Sequence, residues 1–241
     1  MRYIGIDGCK SGWFYIELTR DSYRHGWCQH LDELFEQLDS STRVFIDMPI
    51  GLTDAGSSGR DCDRAARKLL GPRRASVFPT PARAALNATN YAAACGLNRS
   101  AVGKAISLQT YAIMPKIREL DAWMQQSAAA RASVYEAHPE VCFWSLAGGR
   151  PMSTHKSKPA GFEERLSVLE RVFPSARAAV EAARVWARGR GVARDDIVDA
   201  LVNAVSASVP SADLRTLPGE PPLDVCGLPM RMVYGCVNKT V

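Results

Sequence analysis

The sequence has no apolar run near the ~18–20 residues that span a bilayer, so a membrane protein is not expected. It begins on a strand pattern, Tyr3-Ile4-Gly5-Ile6, without the basic and apolar regions of a signal peptide. Its seven cysteines contain no Cys-x-x-Cys pair. An odd number at wide spacing speaks against a disulfide scaffold or zinc ribbon and for a reduced, cytoplasmic protein. With only four histidines, a His/Cys zinc centre is not expected either. Gly8-x-x-x-Gly12 lacks the Gly-Lys-Ser/Thr that would make it a phosphate-binding P-loop. There is no internal repeat and no low-complexity tract, which removes solenoids and disordered tails from consideration.

What is present suits one domain: 241 residues, 46% hydrophobic and 23% charged. Residues 2–7 read as a buried strand that turns at Gly-Cys-Lys-Ser-Gly into a second strand, Trp13–Leu18. So short a gap makes the pair antiparallel. A third strand is expected around Tyr23–Gln29, and a short helix from Leu31, Leu34, Phe35 and Leu38. Arg43–Asp47 is nearly all apolar, as a buried parallel strand is. Residues 52–130 are mostly helical in pattern, with helices expected at 60–70, 81–95 and 108–126. A fifth strand follows at Ala132–Glu136, then helices near 139–147, 161–173, 174–188 and 195–208. A terminal hairpin is expected from Leu223–Cys226 and Met230–Tyr234.

This order predicts an α/β fold. Its mixed five-stranded sheet has three antiparallel strands and then two parallel ones, with helices on both faces. That is the element order of the ribonuclease H fold. One domain, 1–241, would carry 52–130 as a helical insertion.

Asp7 and Asp47 each end a buried apolar strand, where a charge is costly unless it is paired or coordinates a cation. Turn capping would explain either one alone. If the two strands are parallel neighbours, both acids emerge at the carboxyl edge of the sheet, where open sheets place ligands. On the helix at 195–208, Ile197, Val198, Leu201, Val202 and Val205 share one arc. Asp195, Asp196, Asp199, Asn203 and Ser206 share the other. Asp195 suits a helix cap, but capping gives Asp199 no reason to follow Asp196 one turn on. Glu136 ends the fifth strand as a candidate ligand or water activator. His138, expected on the same side, is a candidate catalyst or a satisfied core residue.

Residues 60–83 hold seven basic side chains against two acidic ones, so this segment equals the whole net charge of +5. It reads either as a polyanion-binding patch, through Arg64, Arg73 and Arg74, or as a helix face with internal ion pairs. Lys10 and Ser11 in the first turn, and His155, Lys156 and Lys158 in a later loop, are further candidate phosphate contacts.

Four segments carry a resemblance: Ile4–Gly8, Phe45–Leu52, Tyr135–Glu140 and Asp195–Leu201. They are similar to the motifs of a domain-of-unknown-function family described as predicted ribonuclease-H-like nucleases, over residues 3 to about 234. Asp196-x-x-Asp199-Ala-Leu also resembles the last helix of RuvC-type Holliday-junction resolvases. That resemblance implies metal ligation by Asp7, Asp47, Asp196 and Asp199. Such resolvases carry Glu on the fourth strand where this chain has Asp47, and Glu136 is expected as an added ligand.

The function so implied is phosphodiester hydrolysis of DNA or RNA by a two-metal carboxylate site. Its all-oxygen ligands suit Mg²⁺ or Mn²⁺. Two alternatives remain: a non-catalytic nucleic-acid-binding or regulatory protein of the same fold, and ATP-dependent phosphotransfer. The second normally pairs two such domains around ATP.

Overall fold

The computed structural model of the chain describes residues 1–56 and 58–237; Ser57 and positions 238–241, the end of the expected domain span, lie outside the described residues. One sheet organises the fold. Its strands are β1 (Arg2–Cys9), β2 (Gly12–Leu18), β3 (Tyr23–Cys28), β4 (Thr42–Ile46) and β5 (Val134–Glu136), in the order β3-β2-β1-β4-β5. β1 pairs antiparallel with β2 and parallel with β4, and β5 extends the parallel side. The mixed α/β sheet is therefore as the sequence predicts.

Nine helices are described: α1 (Asp32–Phe35), α2 (Asp61–Leu70), α3 (Tyr91–Val102), α4 (Leu108–Gln126), α5 (Ala128–Ser133), α6 (Pro139–Leu146), α7 (Pro159–Glu170), α8 (Ala176–Trp186) and α9 (Arg194–Ala207). The pleat sorts the sheet's side chains into two layers. Phe14, Ile16, Leu18 and Phe45 pack with α6 to α9 on one face. Ile4, Ile6, Trp13, Val44 and Ile46 pack with α1, α3 and α4 on the other. Among the described residues, no helix is long and apolar enough to cross a membrane.

Three expected elements differ. The helix expected at 81–95 splits into a short 3-10 segment, Arg83–Asn87, and α3, because the Asn90 side chain accepts from Ala93 N–H at 2.9 Å and starts a new helix. β5 is three residues long, since Ser127 caps α5 over the residues before it. The terminal hairpin pairs β6 (Leu214–Leu217) with β7 (Met232–Gly235), and Leu223 keeps only an isolated bridge to Pro229. Asp224 is the reason: its carboxylate accepts from Cys226 N–H at 2.8 Å and Leu228 N–H at 2.9 Å, curling 224–228 into a turn.

Helix α9 is buried on every side from Ile197 to Ala207. Its polar arc faces the interior. Asn203 donates to the Ile6 carbonyl at 3.4 Å, and Ser206 accepts from Gly235 N–H at 2.7 Å. Gly5 makes that seat possible, because a Cβ there would overlap the Ala200 carbonyl oxygen and the Ala204 nitrogen. Gly5→Ala is expected to cost about 1–3 kcal/mol by overpacking. Calorimetry should then show a melting temperature several degrees lower, at ~2–4 °C per kcal/mol for a chain this size.

Candidate metal centre

Gly5 and Asp7 lie two residues apart on β1 and so share the face against α9. With α9 seated on Gly5 through Ala200, its preceding turn carries Asp199 and Asp196 toward the carboxyl end of β1. Asp47 follows β4 on the same face as Phe45, and its N–H donates to the Ile6 carbonyl at 3.0 Å, prolonging the parallel pairing. Three elements distant in sequence thus deliver Asp7, Asp47, Asp196 and Asp199 to one edge of the sheet.

Their electrostatics reflect the proximity. Burial pushes the Asp7 carboxyl well above the usual range, and Asp47, Asp199 and Asp196 each push it further. Burial also raises Asp47, against the pull of His138 and Lys156. Asp199 is raised to about 6, first by burial and then by Asp47, while Lys156 opposes. Asp196 is likewise raised to about 6, chiefly by burial. Repulsion among buried acids is what a cation relieves.

The chain supplies a partial remedy of its own. Lys156 Nζ lies 2.5 Å from Asp199 and 3.7 Å from Asp195. Burial works against this ammonium, but Asp199, Asp7 and Asp47 outweigh it and raise its pKa. The residue expected to meet phosphate is therefore engaged with the acids. Asp195 is 42% exposed, and the cap belongs to Asp196 instead: its Oδ2 accepts from Ala193 N–H at 2.8 Å. Asp196 thus serves helix and cluster at once.

Glu136 is not part of the cluster. It pairs in register with Ile46, whose side chain belongs to the layer away from α9. There the Arg60 guanidinium grips both Glu136 oxygens at 2.6 and 2.7 Å and Asp63 Oδ1 at 2.6 Å. Among the described residues, the one acidic group whose ligand atoms all fall within 4.8 Å of one another is Cys62, Asp63 and Glu136. Arg60 already fills it, so we assign that group to an internal ion pair.

His138 does reach the site. It lines a cavity of about 420 Å³ with Asp47, Asp199, Lys156, Arg73, Glu140 and Gln109. Its Nε2 sits 3.3 Å from the Ser76 carbonyl, and its buried Nδ1 has no partner among the described residues. A ring that donates from Nε2 presents Nδ1 as an acceptor.

The basic segment 60–83 resolves in favour of internal pairing. Arg64 is bound to Asp61, Arg73 to Glu140 at 3.2 Å, Arg83 to Asp121 and Asp224, and Arg67 donates to the Val77 carbonyl. Lys68 and Arg74 remain exposed. Ser11 donates to the Arg190 carbonyl at 2.5 Å; Lys10, His155 and Lys158 are exposed.

Residues 5–223 match a family model whose span takes in every acid of the cluster. The chain belongs to the family described as "Protein of unknown function (DUF429)". No curated protein and no solved structure matches it.

Two features of this region are not anticipated from the sequence. Glu140 sits beneath the cavity with Arg73 and buried Arg165 on one oxygen and the other unpartnered, a network that joins three distant segments and leaves no local signature. The arginines at 184–194 do carry a signal, a basic run without an acid.

Proposed function

We propose that this chain is a metal-dependent nuclease that hydrolyses phosphodiester bonds of DNA or RNA at the Asp7 cluster. The observation that carries the reading is the delivery of four acids from β1, β4 and α9 to one buried edge, where each is pushed up in pKa. The donor set fits Mg²⁺ or Mn²⁺: its four proposed ligands are all carboxylates, with the His138 ring beside them in the same cavity. Asp7, Asp47, Asp196 and Asp199 would hold the metal, with Asp7 on the central strand of the sheet. Bound there, the ions would supply Lewis acidity toward a phosphoryl oxygen and an activated water.

The chain's own groups complete the site. His138 lines the cavity, and its Nδ1, unpartnered among the described residues, can accept a proton from attacking water. Lys156 holds the acids in the metal-free protein and stands at the cavity rim, where its charge can pass to a substrate phosphate. Lys156→Met is expected to tighten Mn²⁺ binding about tenfold, ~1.4 kcal/mol, because the competing cation is gone. Calorimetry checks this. A reducing, cytoplasmic setting accompanies the reading, since the cysteines are free thiols and Cys9, Cys28, Cys62 and Cys142 are buried.

The direct test is cleavage of labelled single-stranded, double-stranded, hybrid and branched substrates with Mg²⁺ or Mn²⁺. Cleavage lost in Asp7→Asn supports the reading; no cleavage of any substrate, or full activity in that variant, removes it. One observation favours a second reading, nucleic-acid binding without turnover: Lys156 already neutralises part of the cluster. Salt-sensitive binding of nucleic acid with no Mg²⁺ or Mn²⁺ affinity would select it.

A further inference from the structure

If the chain acts on nucleic acid, a surface must hold the backbone, and the segment expected to do so has four of its seven basic side chains in ion pairs. We propose that the loop between α8 and α9 holds a single strand instead, through Arg188, Arg190 and Arg194. This inference rests on the nuclease reading and names the grip of that same site.

Residues 184–194 carry four arginines and no acid. Arg184, Arg188 and Arg190 are exposed. Arg184 is drawn toward Glu181 at 2.7 Å, and Arg194 lies over the Phe162 ring and acts on Glu163, so the freest charges are Arg188 and Arg190. Arg184, Arg188 and Arg194 with Gly189 and Gly191 line a cavity of about 200 Å³, which is room for an anionic group rather than a whole ligand. Both glycines hold positive φ, 76° and 73°, so the bend that gathers the arginines is built into the chain.

The loop is tied to the metal centre. Lys10 N–H donates to the Gly191 carbonyl at 3.2 Å, and Ser11 to the Arg190 carbonyl, so it is fastened to the turn that follows Asp7. At its other end it runs straight into α9, which bears Asp196 and Asp199. The arginine loop is thus joined at both ends to elements that carry the acids.

Single strands are favoured by Trp186. Its ring is 36% exposed, packs edge-on against His25 and carries the Arg190 guanidinium 4.7 Å above its centre. A guanidinium held over an aromatic ring, here also by its bond to the Trp186 carbonyl at 3.0 Å, is pre-organised, and its outer face is a surface on which an unstacked base can lie. Duplex DNA keeps its bases stacked and offers nothing to that plane.

The test uses the full chain, a fluorescein-labelled oligothymidylate and EDTA, so that binding is read without cleavage. By anisotropy, Arg188→Ser/Arg190→Ser is expected to weaken binding about tenfold or more. It should also flatten the dependence of log K on log[salt] by ~0.7 for each phosphate that is no longer neutralised. Arg188→Lys/Arg190→Lys should recover the salt slope but not the full affinity, because lysine keeps the charge and loses the stack. Arg20→Ser, in the β2–β3 turn at the opposite end of the sheet, should bind as wild type.

Unchanged affinity and slope in the serine double variant would overturn the proposal, as would no binding at all or preference for duplex over single strand. A chain that binds through this loop yet never cuts with Mg²⁺ or Mn²⁺ loses the nuclease reading alone. A chain that cuts while the loop variants bind normally loses this inference alone.

Discussion

Asp7→Asn is expected to abolish metal-dependent cleavage and, in the same molecule, to stabilise the metal-free fold. The two effects share one cause. Asp7 is a buried carboxylate crowded by three others, and its carboxyl is held well above the ordinary range. Asparagine keeps the oxygen that accepts from Gly8 N–H at 2.8 Å and removes the charge. Relief of an active site held against its own repulsion is typically worth about 0.5–2 kcal/mol, which is a few degrees in melting temperature. Cleavage should fall by on the order of 10³ or more, because several kcal/mol of metal-borne charge stabilisation is lost at about 1.36 kcal/mol per tenfold. Thermal melts in EDTA together with a cleavage assay check both halves. A variant both inactive and destabilised would show that Asp7 is structural.

The same crowding sets a pH dependence. Asp196 and Asp199 rise from an ordinary 3.8 to about 6 in the folded, metal-free protein. The folded state therefore binds protons that the unfolded chain has released between those values. Stability from these groups is full below pH ~4 and lost as pH rises toward ~6. Saturating Mn²⁺ should offset part of the loss, since binding at ~100 Kd alone stabilises by about 2.7 kcal/mol. Melts from about pH 4 to 8, with and without Mn²⁺, should diverge as the pH rises.

The largest stability effect is expected from Arg60→Ala. This guanidinium is nearly sealed from solvent, and besides Glu136 and Asp63 it donates to the Ile50 and Gly51 carbonyls at 3.1 and 3.2 Å. Removing it strands two buried carboxylates, a loss of about 3–5 kcal/mol from a fold whose total is ~5–15 kcal/mol. Burial already pushes the Glu136 carboxyl up even with Arg60 beside it, so without Arg60 it takes a proton. The deficit should accordingly shrink at acid pH. Urea unfolding of Arg60→Ala, Glu136→Gln and the pair gives the coupling; a deficit under ~1 kcal/mol would contradict the buried clamp.

The acids proposed to hold metal can be singled out in the sequence because each breaks a local rule. A charge at the end of an apolar strand and a second Asp one turn beyond a helix start both ask for a partner. Glu136 breaks the same rule, and its partner is Arg60, 76 residues away in sequence. Register decides such cases. Alternation along β5 says that residues two apart share a face, but only the pairing of Glu136 with Ile46 says which face.

Lys156 and Arg73 depart from expectation for a related reason, since sequence shows that a cation is present but not which acid claims it. The strand at Leu214–Leu217 leaves little signal because its four residues stand close between Pro210 and Pro218 and pair with a segment 15 or more positions later. The β1 to β4 order, by contrast, follows from a tight turn and an apolar parallel strand, both of which are local patterns.

The central claim is that Asp7, Asp47, Asp196 and Asp199 hold divalent cations. Manganese anomalous diffraction from crystals soaked in Mn²⁺ tests it most directly. The expected result is density among those carboxylates, with Lys156 drawn off Asp199. Manganese between Cys62, Asp63 and Glu136, or no manganese at the Asp7 edge, would contradict it.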